Sequence, residues 1–102
     1  MGVLMITVHV PNNMAVKMAK LYMKQPREIP YVTKWRAFNT TGGIHGHKQY
    51  HIIYTERGKV EEAGLELGKY FQPFINEIDG FCWQIESLTG VSETFKLIGM
   101  NW

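Results

Sequence analysis

Cysteine is nearly missing from this chain: Cys82 is the only one among 102 residues. A lone thiol excludes an intramolecular disulfide framework and a multi-cysteine structural zinc site, and it fits a reducing compartment. Long hydrophobic runs are missing too. The stretch from Met1 to Val10 is apolar for only about ten residues, short of the roughly 20 that a membrane span needs. It carries no basic leader and no small-residue cleavage site, so it reads as a strand and not as a signal peptide. Nor does one sign of charge dominate. The net charge is +2 with lysines spread evenly, which gives no indication of a nucleic-acid partner or an anionic membrane. The expected setting is the cytoplasm.

What is present suits one soluble domain over 1–102: 45% of residues are hydrophobic and 20% charged. Val3 to Val10 alternates as a strand, with Leu4, Ile6, Val8 and Val10 opposed to Met5, Thr7 and His9. Asn12 and Asn13 are both helix-capping residues. Met14, Met18, Leu21 and Tyr22 then recur at helical spacing until Pro26 and Pro30 form a stiff connector. Val32 to Thr40 reads as a second strand. Thr41-Gly42-Gly43 is a turn, and a third strand runs from there to about Glu56. Lys59 to Ile78 is the clearest helix, with Val60, Ala63, Leu67, Phe71, Phe74 and Ile78 as its buried stripe. Gly64 and Gly68 would let that helix approach a sheet closely, and Pro73 predicts a kink or break. Phe81 to Leu88 is a fourth strand. The tail from Thr89 to Trp102 fits either a short helix capped by Ser92 or an edge strand through Phe95-Lys96-Leu97.

The order β-α-β-β-α-β over 3–88 is the split βαβ pattern of the ferredoxin-like α+β fold. Such a fold has a four-stranded antiparallel sheet in the order 4-1-3-2, with both helices on one face. The other face must be solvated, covered by a partner, or used. The greasier parity of each strand is assigned to the helices, which on the third strand means Tyr50, Ile52 and Tyr54. That leaves Met5, Thr7 and His9, then His47, Gln49, His51 and Ile53, then Cys82, Gln84, Glu86 and Leu88 on the open face. The second strand contributes either Lys34, Arg36 and Phe38 or Thr33, Trp35 and Ala37. A face this mixed is too apolar for full exposure.

Element order, size and strand polarity over Val3 to Leu88 resemble the dimeric α/β-barrel superfamily, without a motif of any one subfamily. The resemblance implies a homodimer joined through the open sheet face, a small organic ligand, and isomerase or monooxygenase-like chemistry; it names no cofactor.

Three of the four histidines fall between positions 45 and 51, and they direct the search for a site. His9 and His51 are the candidate acid–base residues, since imidazole titrates near neutrality. Arg36 or Lys34 would hold an anionic group, Gln49 or Gln84 would orient the ligand, His47 and Glu86 would join its binding, and Trp35 would supply aromatic wall. A second reading has His9, His47 and His51, with Glu86, bind a divalent metal. It meets a geometric penalty, because a strand separates positions 47 and 51 by about 13 Å. A third makes the chain a non-catalytic dimer acting in regulation or assembly, with Arg36 and Glu86 pairing between subunits and His45 an exposed loop residue. RNA-recognition modules share the element order, but they need aromatics on the open face of the third strand. The assigned parity turns the tyrosines away from it, whereas the opposite parity would make Tyr50 and Tyr54 the open ones.

Overall fold

The computed structural model describes residues 2–40 and 46–101. The turn at 41–43, His45 and the terminal Trp102 lie outside the described residues. The elements are β1 (Gly2–Val10), α1 (Ala15–Lys24), β2 (Val32–Thr40), β3 (His47–Thr55), α2 (Val60–Glu77), β4 (Cys82–Leu88) and α3 (Val91–Leu97). A single antiparallel sheet runs in the order β2-β3-β1-β4; counted from its other edge it reads β4-β1-β3-β2. Among the described residues, no helix is long and apolar enough to cross a membrane.

Local chemistry explains most boundaries. Pro11 ends β1, and Asn12–Met14 form a 3-10 turn closed by Met14 N–H donating to the Pro11 carbonyl at 2.9 Å. Neither asparagine caps a helix through its side chain, contrary to the expectation from sequence. The helix α1 stops where Gln25 turns extended ahead of Pro26, as a residue before proline must. α2 continues through Pro73 to Glu77, so the proline does not break it. Gly64 and Gly68 face open space and mediate no close approach to the sheet. The tail resolves in favour of a helix, α3, which adds a third helix to the two expected; Gly90 and not Ser92 stands at its start.

The core lies between one sheet face and the two long helices. Leu4, Ile6, Val8 and Val10 of β1 and Ile53 of β3 meet Met18 of α1 and Leu67, Phe71 and Phe74 of α2. Each such side chain contributes roughly 1.5–3 kcal/mol on burial. Phe71 is the hub, ringed by Trp35, His51, Tyr70, Phe74, Phe81 and Trp83 with centroids 4.9–6.4 Å away.

The register overturns one assignment. Ile6 of β1 pairs with His51 of β3 and with Ile85 of β4, so His51 shares the core face of Ile6. His51, Ile53 and Thr55 are buried there, and His47 and Gln49 follow on the same side. Lys48, Tyr50, Ile52 and Tyr54 therefore occupy the open face. The reason is that tyrosine is amphipathic: its ring is apolar enough to look like core, while its hydroxyl is content in water. On β2, Lys34, Arg36 and Phe38 are open and Trp35 is turned to the helices.

Gly46 sets the start of β3. Its φ is +97°, and an added Cβ would collide with the Val10 carbonyl oxygen and lie 3.0 Å from Pro11 Cα. Gly58 has a similar φ of +75° with nothing nearby. Gly46→Ala is expected to lose roughly 2–3 kcal/mol of stability. Gly58→Ala should lose only about 1 kcal/mol, from backbone strain alone. Urea midpoints compare the two, and equal losses would show that the contact with Val10 is unimportant.

Candidate functional site

Between α1 and the helix side of the sheet there is a cavity of about 570 Å³. It exists because the residues facing each other there are small. Ala15 and Ala19 on α1 oppose Ala37 on β2, and a ten-residue helix cannot cover the whole width of the sheet. Met18, Tyr22, Met23 and Val10 complete an apolar wall. The remaining wall is polar: Asn39, Thr40, His47, Gln49 and His51, with no lysine, arginine, aspartate or glutamate among the described residues that line it. A smaller cleft of about 270 Å³ shares Tyr22, Met23 and Ala37 and reaches Trp35, Tyr70 and Arg27. Gln25 closes off that end by donating from its side-chain amide to the Tyr70 carbonyl, which ties the end of α1 to α2. Burial, reinforced by the neighbouring Tyr22 phenol, raises the pKa of the Tyr70 hydroxyl above its ordinary range.

A buried hydrogen-bond chain forms the polar wall. The indole Nε1–H of Trp35 donates to His51 Nδ1 at 2.9 Å, and His51 Nε2 lies 3.0 Å from Gln49 Oε1. Indole nitrogen can only donate, so His51 Nδ1 must accept. The neutral ring then carries its proton on Nε2 and donates it to Gln49 Oε1. His51 is 1% exposed, with Trp35 and Phe71 edge-on to it at 5.7 Å. Burial lowers its pKa from 6.5 to about 4, so the ring is neutral around pH 7. This solves the problem that a histidine poses in a core. Both nitrogens are satisfied, and no charge is buried.

The sheet divides the residues singled out from sequence into two groups. Trp35, His47, Gln49 and His51 lie on the helix side, with the last three lining the cavity and Trp35 the adjoining cleft. His9, Arg36, Gln84 and Glu86 lie on the open side. His9 is exposed and stands between Lys48 and Cys82, so it does not converge with His47 or His51. Gln84 donates to Glu86 Oε1 at 3.0 Å, and the Arg36 guanidinium lies 5.3 Å from the Phe38 ring. The four proposed metal ligands are split by the sheet, and among the described residues no three His, Cys, Asp or Glu side chains come together. The open face instead presents Tyr50 and Tyr54, each beneath a lysine: Lys48 at 5.0 Å and Lys34 at 5.7 Å.

Asn39, Thr40 and Tyr22 line the cavity without having been singled out. Asn39 could have been found, since it continues the Trp35 and Ala37 parity along β2. Tyr22 read only as part of a helical core stripe. No protein-family model and no curated protein matches the sequence.

Proposed function

We propose that the protein binds a small organic molecule in the cavity beneath α1. In this reading it is a cytoplasmic homodimer of ferredoxin-like topology, like the dimeric α/β-barrel proteins it resembles. The observation that carries it is the Trp35–His51–Gln49 chain, which fixes His51 and Gln49 in the polar wall of a cavity whose other wall is apolar. A largely apolar concavity with a few placed polar groups is how small-molecule sites are built. His51 serves as a positioning residue that holds Gln49, since both of its ring nitrogens are engaged. His47 makes no hydrogen bond among the described residues, so it is the imidazole free for acid–base work in isomerase or monooxygenase-like chemistry.

The open face supports the dimer. Phe38 and Leu88 are 44% and 41% exposed there, beside Tyr50, Ile52 and Tyr54. A twofold stack laying β2 of one copy over β4 of the other would set Lys34 and Arg36 against Glu86, which complements their charge. Light scattering is expected to return about twice the chain mass of 11.8 kDa. A monomer at high micromolar concentration would remove the dimer from the reading. For the cavity, a thermal-shift screen with small acids, quinones and heme is expected to give saturable stabilisation that Ala19→Trp, which fills the space, removes. If no compound stabilises the wild type, or the filled variant responds equally, the cavity is not the site and the non-catalytic dimer stands.

A further inference from the structure

The chain of hydrogen bonds in the cavity wall has a direction, and it bears on what kind of molecule the cavity takes. We infer that the ligand offers an acceptor oxygen, of the ketone, enone or quinone carbonyl type, to the side-chain amide N–H of Gln49, and that the rest of it is uncharged and apolar. This rests on the cavity being the binding site.

Trp35 starts the chain and can only donate. His51 therefore accepts on Nδ1 and donates from Nε2, and Gln49 must receive that proton on Oε1. The assignment of the Gln49 amide follows from the indole, with no freedom to flip. With Oε1 engaged by His51, the Gln49 N–H donors are the groups left without a protein partner among the described residues, and they lie at the cavity it lines. Each link polarises the next, so the terminal amide is a stronger donor than a free one, by about 10–30% per bond. A ligand that could only donate at this point would leave the Gln49 N–H unpaired. Among the described residues, no lysine, arginine, aspartate or glutamate lines the cavity to compensate an ionised ligand. The apolar wall from Met18, Tyr22, Ala19 and Val10 then suits a hydrocarbon or aromatic body.

The test uses a matched pair of probes, 1-tetralone and tetralin, which differ by the carbonyl oxygen. Both are titrated into the full chain by calorimetry, and the ketone C=O band is recorded by infrared difference spectroscopy. The ketone is expected to bind about tenfold more tightly, the yield of one net hydrogen bond. Its carbonyl band should move to lower frequency when bound. Gln49→Leu should abolish both the preference and the band shift while leaving tetralin affinity intact, which shows that the variant is folded with its cavity open. Trp35→Phe keeps the ring but frees the chain to reverse, so it should reduce the preference and the band shift together. Equal binding of the two probes by the wild type, or a preference that survives Gln49→Leu, would overturn this inference alone. If neither probe binds, the cavity reading falls and the inference falls with it.

Discussion

Phe71→Ala is expected to lose about 3–5 kcal/mol of unfolding free energy, enough to bring a domain of ordinary stability close to unfolding. Phe71 is fully enclosed, 1% exposed, and its ring contacts both ends of the aromatic cluster. On one side are Trp35 and His51 from β2 and β3; on the other are Phe81 and Trp83 at the β4 edge. Truncation removes the transfer free energy of the ring and leaves a hole that strand-anchored neighbours cannot close. It also takes one wall from the His51 pocket, so the imidazole gains access to water. Urea denaturation followed by circular dichroism gives the loss directly. Phe38→Ala, on the open face, is the comparison and should cost under about 1 kcal/mol in the isolated chain. A loss below about 1.5 kcal/mol at Phe71 would mean that the aromatic cluster is not the centre of the core.

Acid should destabilise the protein through one residue more than any other. His51 has a folded pKa of about 4, below the 6.5 of the unfolded chain. Between those values the unfolded state binds a proton that the folded state refuses, so stability rises with pH across this window. The contribution is fully present above pH 6.5 and is lost as pH falls from 6.5 toward 4, amounting to about 3 kcal/mol. Protonation would also turn Nδ1 into a donor facing the Trp35 N–H, so the pair must separate. The prediction is a fall in urea midpoint from pH 7 to pH 4.5 that is much smaller in His51→Gln. That variant can accept from Trp35 through an amide oxygen and does not titrate. An identical pH slope in the variant would assign the acid sensitivity to carboxylates instead.

How much of this could be read from residues alone depends on which forces set each feature. Strand β2 at Val32–Thr40 and helix α2 were legible because their periodicities are strong and their ends are marked by turn residues. The parity of β1 and β4 was legible as well. That of β3 was not, because Ile52 and Ile53 are adjacent and the two faces then differ only by tyrosines against histidines. Hydropathy favours the tyrosines, whereas pairing of Ile6 with His51 sends the histidine inward. What makes that tolerable is an indole N–H from another strand, and no local pattern reveals a hydrogen bond between positions 35 and 51. The same reversal moves the cavity from the open face to the space beneath α1, and it separates His9 from the other histidines. The histidine strand was therefore legible, whereas the side of the sheet that His47, Gln49 and His51 face was not.

The placement of β1 also matters during synthesis. Residues 2–10 are made before the other strands, yet they occupy the middle of the sheet, between β3 and β4. About 45 more residues must be made before β3 can pair with one edge of β1, and about 80 before β4 covers the other. At 5–20 residues per second that leaves a strongly apolar strand with an open edge for roughly 4–16 seconds. Leu4, Ile6, Val8 and Val10 are the residues exposed through that interval, and all four end in the core. The nascent chain should therefore be most prone to aggregation, and most dependent on chaperones, before β4 is complete. A chain stalled just short of Cys82 would be held in that state.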